Sequence, residues 1–78
     1  MSKTTLEDCV RETLAEYFRD LGDATPNAVH EMVIRTVEKP LLDVVMQQAQ
    51  GNQSKAAEWL GINRNTLRRK LVEHQLLE

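Results

Sequence analysis

Apolar residues at Leu6, Val10, Leu14, Phe18 and Leu21 recur every three or four positions, the period of one face of an α-helix. This spacing predicts a first helix from about Thr5 to Leu21. Thr5 is placed to cap it, Glu7 and Asp8 suit the positive end of its dipole, and Gly22 stops it. A second apolar pattern begins near Pro26 or Asn27 and runs to about Gln50, where Gly51 ends it. Its apolar face is too wide for a surface helix. At about 100° per residue, Val29, Met32, Val33, Ile34 and Val37 spread over roughly 200°. Leu41, Leu42, Val44, Val45 and Met46 cover a similar arc further round. One core-facing stripe needs about half that width. Such a helix needs cover on two sides.

Pro40 interrupts this pattern. Either one helix ends near Glu38 and another opens at Pro40, a favoured first-turn position for proline, or a single kinked helix runs through it. The residues themselves leave both readings open. A third helix is expected from just after Asn52 to Leu60, a turn at Gly61-Ile62-Asn63, and a fourth helix from Arg64 to Glu73 with a frayed tail to Glu78. No strand pattern is visible, so the expected fold is all-α, a four-helix subunit.

Residues 52–71 read NQSKAAEWLGINRNTLRRKL. Ala57 is small where two steeply crossed helices approach, and Gly61, four positions on, accepts the left-handed backbone of the turn. Ile62 and Leu67 can pack the second of these helices onto the first, with Leu60 and Leu71 closing the same core. This is the spacing of a helix-turn-helix. Its polar face holds Asn63, Arg64, Asn65, Thr66, Arg68, Arg69 and Lys70. Arginine can pair twice with guanine and asparagine with adenine, and the first residues of a recognition helix are those that reach base edges. Arg68, Arg69 and Lys70 stand further along, better placed for phosphates. Asn52, Gln53, Ser54 and Lys55 surround the free N–H groups that open the third helix, a place suited to a phosphate.

Charge sharpens this reading. The chain of 78 residues has a net charge of -2. Residues 1–50 carry five basic against nine acidic side chains, whereas residues 51–78 carry five against three. A basic end on an acidic body fits local phosphate binding. A chain this short needs a staple. Cys9 is the single cysteine, which excludes an internal disulfide, and neither His30 nor His74 stands at metal-ligand spacing, so no metal or cofactor is expected. A second copy is the expected staple. Residues 1–50 then supply dimerisation helices, with Leu14, Val33, Val37, Leu41, Leu42 and Val45 in the dimer core, and residues 51–78 the DNA-binding segment of one domain. Neither a signal peptide nor a membrane span is visible, and a lone cysteine fits a cytoplasmic protein.

The stretch GNQSKAAEWLGINRNTLRRKL resembles the C-terminal segment of the Fis family and EKPLLDVVMQQAQGNQ the same family's second helix and its approach to the motif, and the similarity extends from about Leu6 to His74. The resemblance implies an intertwined homodimer, one long kinked helix through Pro40, and a DNA-bending, nucleoid-associated transcriptional regulator of bacteria. It also implies that Asn63 and Arg64 approach bases. Asn52, Gln53, Ser54, Thr66, Arg68, Arg69 and Lys70 would approach the backbone of double-stranded DNA, and Lys55 and Asn65, which stand beside them, are expected there too. Relatives that stimulate DNA inversion carry an arm ahead of the first helix, and this sequence begins almost at that helix, so recombinase contact is not expected. Val72-Glu73 replaces a commonly basic end, which implies fewer flanking phosphate contacts. Asn65 stands where glycine is common, and bears on base preference.

Two rival readings stand beside this one. The chain could be a detached C-terminal DNA-binding domain of an NtrC-type activator, or a dimeric protein-binding adaptor. An enzyme is not expected, since no phosphate-binding glycine loop and no nucleophile setting is present. Trp59 is expected to be a partly buried packing residue, Tyr17 to lie at an interface, and Cys9 near the dimer contact.

Overall fold

The computed structural model describes residues 5–77. Among the described residues lie four helices and no strand: α1 (Leu6–Leu21), α2 (Val29–Gln48), α3 (Gln53–Leu60) and α4 (Arg64–Glu73). The chain divides into two compact units between Val33 and Ile34.

In the first unit, Thr5 caps α1 by accepting the backbone N–H of Asp8 at 3.0 Å, and Gly22 ends it at φ +63°. The helix is amphipathic, yet none of its residues is buried. Leu6 is 68% exposed, and Phe18, whose ring meets Tyr17 edge-on, is also exposed. Helix α2 opens at Val29, slightly later than Pro26 or Asn27. Ala28 holds φ +51°, outside the helical region, and its carbonyl accepts the N–H of Met32 at 3.0 Å.

Helix α2 is a single helix with Pro40 inside it, which resolves the choice left open by the residues. Proline removes one rung of the hydrogen-bond ladder. The helix has a reason to continue beyond it, because Leu42 and Ala49 are buried in the core of the second unit. It ends at Gln48. Gln50 already takes a left-handed backbone ahead of Gly51, and Gly51 donates to the carbonyl of Met46 at 3.0 Å.

The second unit has one small core. Leu42 and Ala49 of α2, Ala56 and Ala57 of α3, and Leu67 and Leu71 of α4 are buried, with Val45, Met46, Leu60, Ile62, Leu76 and Leu77 packed round them. Leu42, Leu67 and Leu71 are essentially inaccessible. Complete burial of each contributes roughly 1.5–3 kcal/mol. The later half of α2 therefore shares the core of the helix-turn-helix. Leu42, expected in a dimer core, is already covered by its own chain. The expected fraying is also corrected. After α4, Gln75 takes φ +61° and Leu76 donates to the carbonyl of Leu71 at 2.8 Å, so the chain turns back and places Leu76 and Leu77 on the core. Glu78 lies outside the described residues.

Candidate nucleic-acid interface

Helices α3 and α4 pack against each other across a tight turn. Asn52 caps α3 by accepting the N–H of Lys55 at 3.0 Å. Gly61 ends it at φ +75°, ψ +28°, donating to the carbonyl of Ala57 at 2.9 Å, and Ile62 donates to the same carbonyl at 3.1 Å. Two residues later Asn63 caps α4, its amide oxygen accepting the N–H of Asn65 at 2.7 Å. Each cap satisfies a donor that would otherwise lack an intrahelical partner. Turn and caps together fix where α4 begins.

The buried face of α4 is set by Leu67 and Leu71. Arg64, Asn65, Arg68 and Arg69 are exposed, within about 140° of arc at 100° per residue. They crowd the opening turns of the helix together with exposed Asn63. Val72 shares this arc and is 49% exposed. Thr66, at the edge, is half-buried. The Arg64 guanidinium donates to Ser54 Oγ at 3.2 Å, so a residue expected at bases and one expected at a phosphate meet across the two helices. On α3, Ser54 and Lys55 are exposed and Gln53 is half-buried.

Trp59 departs from expectation: it is 56% exposed, with the Lys55 ammonium 5.9 Å from its ring centre. It lies two residues beyond buried Ala57, about 200° further round the helix. Lys70 also differs from the other cations. Its ammonium is 2.9 Å from Glu38 Oε2 and only 28% of its side chain is exposed. The other carboxylate oxygen of Glu38 lies 2.9 Å from His74 Nε2, and His74 is buried. The hydrogen bonds from Lys70 and then from His74 hold the Glu38 carboxyl below its ordinary range, against a smaller effect of burial.

Glu38 and His74 were not recognised from the sequence as a pair. The available signal was Lys70 and His74 four residues apart, on one face of a helix, and an acid, Glu38, two positions before Pro40 on α2. Of the residues expected in a dimer core, Leu14, Val33, Val37 and Val45 are half-buried and Leu41 is exposed. Ile34, Leu41 and Val44 are exposed and Val37 half-open, at successive spacings of three, four and three along α2.

No cluster of potential metal ligands occurs among the described residues, and no helix among them is long and apolar enough to cross a membrane. Two helices crossed over an Ala-Gly turn, with a cationic outer face on the second, define a helix-turn-helix protein. The family described as bacterial regulatory protein, Fis family, matches residues 33–74. A Fis-like DNA-binding protein of Ralstonia nicotianae is 52% identical over 77 residues, covering 99% of this chain and 100% of the relative. A Fis-like DNA-binding protein of Neisseria meningitidis is 54% identical over 72 residues, covering 92% and 91%. The DNA-binding protein Fis of Proteus mirabilis is 45% identical over 74 residues, covering 95% and 76%. The chain belongs to the Fis family, a family of regulatory proteins and not of enzymes.

Proposed function

We propose that the protein is a homodimeric DNA-binding and DNA-bending regulator that acts on double-stranded DNA at the bacterial nucleoid in the cytoplasm. The observation that carries this reading is the exposed set Arg64, Asn65, Arg68 and Arg69 on the outer face of α4, at the second position of a helix-turn-helix. Relatives alike over nearly the whole chain are named as DNA-binding proteins, which supports it.

In this reading α4 enters a major groove. Arg64 reaches a guanine edge with two hydrogen bonds. Asn63, whose oxygen is committed to the cap, offers its amide N–H groups to a base. Asn52, Gln53, Ser54 and Lys55 at the start of α3, and Asn65, Thr66, Arg68 and Arg69 on α4, approach phosphates. The dimer is supported by the uncovered apolar stripe of Ile34, Val37, Leu41 and Val44, and by an amphipathic α1 with no buried residue. Two copies present two reading helices to two half-sites. Where these stand closer than successive major grooves, the duplex must bend, and sequence then acts through its deformability. The site is a degenerate palindrome with an easily narrowed centre.

Fluorescence anisotropy with an AT-centred duplex and with mixed DNA, across a salt series, tests the reading. Tight binding that weakens steeply with salt supports it. Absence of binding even in dilute buffer refutes it.

A further inference from the structure

We infer that Glu38 is a positioning residue for the recognition helix, acting through a two-point grip on Lys70 and His74. The inference rests on the DNA-binding reading above.

Both oxygens of one carboxylate are used, Oε2 by Lys70 Nζ and Oε1 by His74 Nε2, each at 2.9 Å. Lys70 and His74 are four residues apart at the end of α4, stacked on one face, while Glu38 projects from α2. A single contact would leave α4 free to roll or slide on the apolar core, which is non-directional. Two contacts one helical turn apart resist both motions. The side chains of Glu38 and His74 are only 18% and 5% exposed, so water competes weakly for these bonds. The base-reading end of α4 and this grip lie at opposite ends of one short rod. A small tilt at the grip displaces Arg64, and base readout depends on geometry where phosphate attraction does not. Lys70 also spends its charge inside the protein. A lysine already paired with a carboxylate neutralises no phosphate and releases no counterion.

The reader sits next to charge of both signs. Arg35 and Lys39 of α2 and Glu73 of α4 line the cleft beside His74. They leave Glu38 as the acid in contact with Lys70 and His74.

The test is the ratio of affinities for an AT-centred specific duplex and a mixed duplex, measured across a salt series for the unaltered chain and for Glu38→Gln, Lys70→Met and Lys70→Arg. The inference expects Lys70→Met to lower the ratio about tenfold, the order of one mismatched base pair. Its salt slope should be unchanged, and Lys70→Arg should restore the ratio. Glu38→Gln lowers the ratio and steepens the slope by about 1.8 for the dimer, as the released lysine of each copy reaches a phosphate. A Lys70→Met slope shallower by about 1.8 for the dimer with the ratio intact would make Lys70 an ordinary phosphate contact and overturn the grip alone. Both affinities falling in parallel, with a lowered melting temperature and an unchanged ratio, would reduce the cluster to a stabilising contact and overturn it as well. If the unaltered chain binds no DNA, the grip and the DNA-binding reading fall together.

Discussion

Arg64 and Ser54 are ten residues apart and meet across the helix-turn-helix, with Arg64 Nη1 donating to Ser54 Oγ at 3.2 Å. Both are exposed, so the bond adds little to stability. Its consequence is geometric. An arginine has several rotatable bonds, and a serine on the neighbouring helix selects among the poses they allow. The side chain most suited to reading a guanine is thus held beside the helix start that is suited to a phosphate.

Arg64→Ala should cost on the order of 1–3 kcal/mol on a specific duplex and relax specificity at one base pair. Ser54→Ala should cost less and should widen the range of duplexes bound. Competition binding against a panel of single-base-pair changes measures both; equal losses on all sequences for Arg64→Ala would remove it from the base contacts.

Gly61→Ala should destabilise the fold by roughly 1–2 kcal/mol. The cause is backbone conformation alone, because an added Cβ would meet nothing within 4 Å. Gly61→Asn, which tolerates φ +75°, should recover part of the loss. Urea denaturation distinguishes the three proteins, and equal midpoints for the alanine variant and the unaltered chain would contradict the assignment.

Leu67→Ala and Leu71→Ala should each lose about 2–5 kcal/mol, since both side chains are fully buried in a small core. Val72→Ala, on the exposed arc of Arg64, Arg68 and Arg69, should stay within about 0.5 kcal/mol in stability. Thermal unfolding of the three variants reads the contrast.

Stability should fall on the acid side through Glu38. Its carboxyl is held below the ordinary range in the folded chain by Lys70 and His74. The folded state therefore binds fewer protons than the unfolded chain through that window. The contribution is complete above the unfolded carboxylate range and is lost as pH falls through the lowered folded value. Melting temperature followed from pH 7 to pH 3 should decline less in Glu38→Gln than in the unaltered chain. Parallel curves for the two would leave the carboxylate without a part in this dependence.

For the homodimer proposed above, Leu41→Lys should give a single chain in sedimentation. The substitution puts charge on the stripe of Ile34, Val37, Leu41 and Val44, which the chain itself leaves open. Leu42, one residue further, is already covered, so Leu42→Ala should lower stability before it alters association. An unchanged sedimentation coefficient for Leu41→Lys would place the contact between copies elsewhere.

The helices, their caps and the turn were written locally, in patterns that act over three or four residues. Thr5, Asn52 and Asn63 cap their helices by bonds to residues two or three positions on, and Gly61 needs only its own backbone freedom. The cationic face of α4 was equally legible, because Leu67 and Leu71 set its inner side by periodicity. What tertiary packing decided lies at long range. Leu42 was assigned by pattern to a helix with two apolar sides, and only the folded chain shows that α3 and α4 already cover one of them. Trp59 reads as apolar, yet its angle on α3 turns it outward. Lys70 reads as one more cation in a basic run, and only the approach of α2 gives it Glu38 as a partner, with buried His74 at its side. Periodicity specifies which face a residue occupies. It does not specify what stands opposite that face, because hydrophobic burial is non-directional and the opposing residue can be thirty or more positions away.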